Sequence, residues 1–217
     1  MHNATPDNSA LARLLDLQIR ETPQHERFLR RRLETVDSDG LKGLNELAEH
    51  VSKLIAGLER EHAHDYDWIC NVMLEEELHF RRAGRYRLSS FEDAGQQVYS
   101  NKELMTHYMR GLLMSQVWWS NHTQSMDFYR TRFLGGNRDG YSHLEIGPGH
   151  GLFLYFAAAD KRSGDVRGCD ISEASIALTA DALHKLGLTD LPKLELVDLF
   201  KGPTGSYDSM VFSEVLE

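Results

Sequence analysis

From Ser9 onward, apolar residues recur at helical spacing. Leu11, Leu14, Leu15 and Ile19 fall three or four positions apart and predict a first helix. Pro23 interrupts that pattern, and Phe28, Leu29, Leu33 and Val36 resume it around the basic run Arg30-Arg31-Arg32. Asp37-Ser38-Asp39-Gly40 reads as a turn and a helix start. Beyond it, Leu41, Leu44, Leu47, Ala48, Val51, Leu54, Ile55 and Leu58 form one long stripe. Another helix is expected over about 65–82, carrying Trp68, Ile69 and Val72, and Ser89-Ser90-Phe91-Glu92-Asp93 has the form of a further cap. Asn101 opens a segment expected to run helically through Trp118-Trp119 towards Phe133. Residues 9–134 are thus expected to be helical almost throughout.

The pattern changes at Gly135-Gly136-Asn137-Arg138-Asp139-Gly140, a glycine-rich breaker with no apolar residue. Short apolar runs then alternate with helical stretches, as in βαβ units with a parallel sheet. Strands are predicted at 142–146, 165–169, 193–197 and 209–212, with helices near 152–162 and 173–187. The chain is therefore expected to hold a helical N-terminal region, 1–134, and an α/β region, 141–217.

Composition narrows the function classes. Among 217 residues, 24 Lys+Arg face 33 Asp+Glu, and the net charge of −9 leaves no cationic surplus for a phosphate backbone. No apolar run is long enough to span a bilayer, and the polar opening Met1-His2-Asn3-Ala4 has no secretory pattern. A cytoplasmic protein with no nucleic-acid or membrane partner is expected. Cys70 and Cys169 stand in unrelated contexts and supply neither a disulfide framework nor a metal knuckle. Glu76 and His79 have the Glu-x-x-His spacing of carboxylate metal bundles, but a solvated charged face is expected there. His62 and His64 are expected at the surface, and Trp118-Trp119 in the core or a subunit interface.

The candidate chemistry lies at the end of the first predicted strand, His143-Leu144-Glu145-Ile146-Gly147-Pro148-Gly149-His150-Gly151. Glycines at 147, 149 and 151 let the backbone turn tightly between strand and helix and approach a ligand closely. The nicotinamide and flavin fingerprint G-x-G-x-x-G would place its third glycine where Leu152 stands. Glu145, two residues before the first glycine, is a second departure from it. Asp170 closes the second run, Val166-Arg167-Gly168-Cys169-Asp170-Ile171-Ser172. Leu194-Glu195-Leu196-Val197-Asp198-Leu199-Phe200 follows, and Tyr207-Asp208-Ser209-Met210-Val211-Phe212 opens the last run.

These four runs, in this order, resemble the motifs of the class I S-adenosylmethionine-dependent methyltransferases over about residues 141–217. The resemblance implies a Rossmann-like methyltransferase parallel sheet, incomplete, with its first four strands in the order 3-2-1-4, preceded by an all-helical domain. It implies S-adenosyl-L-methionine as cofactor. Glu145 would serve the methionine portion, Asp170 the ribose hydroxyls, and Asp198 the adenine amino group. Gly147, Pro148, Gly149 and Gly151 would form the cradle, with Ile171 and Leu199 beside the acidic residues, and Tyr129 would be an aromatic contact. The implied activity is methyl transfer to a small-molecule acceptor, for which in-line positioning matters more than any side chain. No catalytic base is assigned. Because the family sheet has seven strands, the chain is expected to be a fragment of a longer enzyme. The alternatives are half of a split enzyme, a homodimer joined through the helices or the open sheet edge, and a non-catalytic helical interaction module with a vestigial half-sheet.

Overall fold

The structure, a computed structural model, describes residues 8–88, 90, 101–197 and 205–213. The chain divides into two compact units, Met1–Thr123 and Gln124–Glu217. Residues 124–134 therefore cluster with the sheet rather than with the helices before them.

The first unit is helical: α1 (Ala10–Glu21), a 3-10 turn (Pro23–His25), α2 (Glu26–Glu34), α3 (Ser38–Ile55), α4 (Glu59–Ala83), α5 (Lys102–Trp118) and the start of α6 (Ser120–Phe128). Three of its helices, α1, α3 and α5, begin where a polar side chain satisfies a free amide of the first turn. Ser9 accepts from Ala12 N at 3.2 Å, Asp37 from Gly40 N at 2.8 Å and Asn101 from Leu104 N at 3.1 Å. Helix α4 lies along α5, and α1 packs on α3 and α4. The stripe residues Ala48, Val51 and Ile55 are buried, with Ile69, Met114 and Trp118. A polar staple crosses this core: buried Gln18 donates to Thr22 Oγ1 and Ala63 O and accepts from Trp118 Nε1.

Three expectations for the helices need correction. Helix α4 starts at Glu59, a turn and a half before 65, with Glu59 and Glu61 favourable to the positive end of its dipole. That extension carries His62 inward. It is buried, its Nδ1 bonds the Leu58 carbonyl, and burial holds its pKa below the ordinary value. The helix opened by Asn101 does not continue to Phe133. Trp119 is extended, α6 restarts at Ser120, and a π turn (Tyr129–Phe133) and a 3-10 turn (Leu134–Gly136) follow.

The second unit holds β1 (Tyr141–Ile146), α7 (Leu152–Ala159), β2 (Ser163–Asp170), α8 (Glu173–Lys185), β3 (Lys193–Leu196) and β4 (Ser209–Phe212). Among the described residues these strands form one all-parallel sheet of order β3-β2-β1-β4, so α/β architecture in the expected order is present. In register, Glu145 sits opposite Gly168 on β2 and Val211 on β4. Gly168 is small for a packing reason. A Cβ there would come within 2.9 Å of both Leu154 Cδ2 and Leu194 Cδ2. Helix α7 packs on β1 and β2 and touches α8 and the π turn. No helix among the described residues is long and apolar enough to cross a membrane.

Candidate functional site

Parallel strands deliver their carboxyl ends to one edge of the sheet. The order reverses beside β1, whose neighbours are β2 on one side and β4 on the other. Open α/β sheets bind ligands at such a switch point. The 147–151 loop leaves β1 there. Gly147, Gly149 and Gly151 have φ of 66°, 50° and 76°, the left-handed region that a side chain disfavours. The loop is anchored at both ends: Gly147 N donates to Cys169 O at 2.8 Å, and Gly151 N to Pro148 O at 2.7 Å.

Glu145 lies beneath this loop. Its side chain is enclosed, with the residue 2 % exposed, and its carboxyl accepts from the Leu154 amide in the first turn of α7. The residue before α7, Gly151, offers no side chain to cap it, so Glu145 supplies that acceptor from the neighbouring strand. His150 Nδ1 takes the Leu152 amide at 3.2 Å. The second carboxyl oxygen of Glu145, Oε2, is buried and has no hydrogen-bond partner among the described residues. Desolvation accordingly raises the carboxyl pKa well above its ordinary value. A buried acceptor left unsatisfied in this way is costly unless a donor reaches it.

Asp170 ends β2 at the same edge, half-buried. Its Oδ1 accepts from Ser172 N at 2.8 Å, which fixes the carboxylate at the rim, and Ser172 Oγ then caps α8 through Ser175 N. Ile171, immediately after it, is 58 % exposed, an apolar side chain held out at the edge of the loop. Cys169 is buried, with its thiol pushed up to about 11 chiefly by desolvation.

Tyr129 is placed differently from these rim residues. It is buried in the second unit, with its hydroxyl against the Phe153 carbonyl at 3.2 Å and His143 Nε2 at 3.0 Å. His143 is itself buried and meets Ser209 Oγ through Nδ1 at 2.9 Å. A neutral ring protonated on Nε2 satisfies all three contacts, and burial holds the His143 pKa at about 4. The structure therefore brings together Glu145, Gly147, Pro148, Gly149, Gly151, Asp170 and Ile171, and sets Tyr129 behind α7. Asp198 and Leu199 lie outside the described residues, as do most of the 89–93 cap.

Sequence reasoning misses Thr179. Buried on α8, its hydroxyl lies 3.0 Å from the Gly149 carbonyl and 3.0 Å from the Ser175 carbonyl, tying the loop to that helix. Its only sequence signal is a polar residue on an otherwise apolar helix face. In the helical unit the Glu76 carboxylate bonds Arg87 at 2.6 Å. Comparison with family models, with curated proteins and with solved structures gives no match.

Proposed function

We propose that the second unit binds S-adenosyl-L-methionine across the 147–151 loop and that the chain belongs to an enzyme transferring its methyl group to a small molecule. One observation carries this reading: three left-handed glycines at the sheet's switch point stand beside a fixed, half-buried carboxylate on the adjacent strand end. The residues suit the cofactor's chemistry. Asp170 retains acceptor capacity for paired hydroxyls. Ile171 offers an apolar face suited to a flat base. Glu145 Oε2 is a buried acceptor with no donor among the described residues, and an ammonium group is a donor. When bound, the sulfonium cofactor supplies an already activated methyl group. The chain's own task is then to orient: Thr179 fixes the Gly149 carbonyl, and Glu145 holds the first turn of α7 against the loop.

Photocrosslinking tests the reading. Irradiation with methyl-tritiated S-adenosylmethionine is expected to label the intact chain. S-adenosylhomocysteine should suppress that labelling and NADH should not. Labelling unaffected by S-adenosylhomocysteine, or suppressed equally by NADH, contradicts it.

A further inference from the structure

A second arrangement of reactive groups lies wholly within the first unit, where α4 meets α5. Asp65 is enclosed, its side chain 7 % exposed, and its Oδ1 lies 2.5 Å from His107 Nδ1. Its other oxygen accepts no hydrogen bond among the described residues and faces Arg110 Nη1 at 3.6 Å. A carboxylate can only accept, so His107 carries a proton on Nδ1 and leaves Nε2 as the basic nitrogen. This is how a buried acid orients a histidine for proton abstraction. The ring is not sealed in: 42 % of the His107 side chain is exposed, and it lines an open groove of about 190 Å³ with Trp68, Asn101, Glu103 and Leu104. Trp68 stands beside it at 5.9 Å between ring centroids, giving the groove a flat aromatic wall. Glu103 also lines the groove, so a ligand enters neutral and any anion formed there depends on the adjacent imidazolium for its countercharge.

We propose that His107, oriented by Asp65, takes the proton of a neutral aromatic hydroxyl compound seated against Trp68. The phenolic O–H bond breaks and an Nε2–H bond forms. The products are a phenolate and an imidazolium, the latter balanced by Asp65. A pair that served only to tie α4 to α5 would do no such proton transfer.

The test uses 4-nitrophenol, whose anion absorbs visible light, titrated into the intact chain near neutral pH without any methyl donor. A saturable rise in phenolate absorbance is expected, and His107→Gln should abolish it. Asp65→Asn should lower it about threefold or more, because the ring's tautomer is no longer fixed. Trp68→Leu should weaken binding about tenfold. No saturable rise in the wild type, or an equal rise in His107→Gln, overturns the proposal. His107 is half-exposed, so its replacement decides the matter whether or not Asp65→Asn folds. Because no methyl donor is present, failure here is distinct from failure of the cofactor reading.

Discussion

A carboxyl group shut away from water beneath the first turn of α7 couples the glycine loop to pH. The Glu145 pKa is raised in the fold, so between its ordinary 4.5 and the folded value the native state holds more protons than the unfolded chain. Stability then falls as pH rises through that window. Buried His143 has the opposite sign. With its pKa lowered from 6.5 to about 4, its contribution is complete above 6.5 and is lost as pH falls towards 4, a change of about 3 kcal/mol. Denaturant unfolding of the second unit at several pH values should therefore show Glu145→Gln gaining on the wild type as pH rises above 4.5. His143→Gln should gain as pH falls below 6.5. Parallel curves for either variant would contradict its assignment. At this scale the glycines and Asp170 are legible in the sequence because they are local signals on a strand end. The capping role of Glu145, the Thr179 tether and the Tyr129–His143 contact are not. They depend on which way side chains point across a sheet or between a helix and a loop.

Among elements, α4 and α5 approach each other closely at Gly111. A Cβ there would lie 2.6 Å from the Asp65 carbonyl oxygen and 2.9 Å from Ile69 Cγ2. In an exposed helix interior, alanine would gain about 1 kcal/mol over glycine. Here the obstacle is backbone, which cannot swing aside, and overpacking of this kind costs about 1–3 kcal/mol. Gly111→Ala is expected to lower the unfolding midpoint of the first unit; a raised midpoint would show that α4 and α5 separate freely. Helix starts at Ser9, Asp37 and Asn101 are legible because capping side chains announce them. The break at Trp119 is not, since its aromatic neighbours continue a helical spacing through it. The early start of α4 is hidden for a related reason: its first turn is charged, and apolar periodicity begins only further along.

On the scale of the whole molecule, the strand order follows from alternating strand and helix patterns together with the motif resemblance, and the described sheet has that order. Pairings between distant segments, such as Asp65 with His107 or Gln18 with Trp118, leave no trace in local spacing and emerge only once the helices pack. In the proposed cofactor site Asp170 holds a ribose at the end of β2. Calorimetric titration of the chain with S-adenosylhomocysteine and with its 2′,3′-dideoxy analogue, each against wild type and Asp170→Asn, measures that directly. The wild type should prefer the hydroxylated ligand by about 10- to 100-fold, the worth of hydrogen bonds to a charged group. Asp170→Asn should lose most of that preference. Absence of saturable binding to the wild type, or a preference undiminished in Asp170→Asn, would contradict the account.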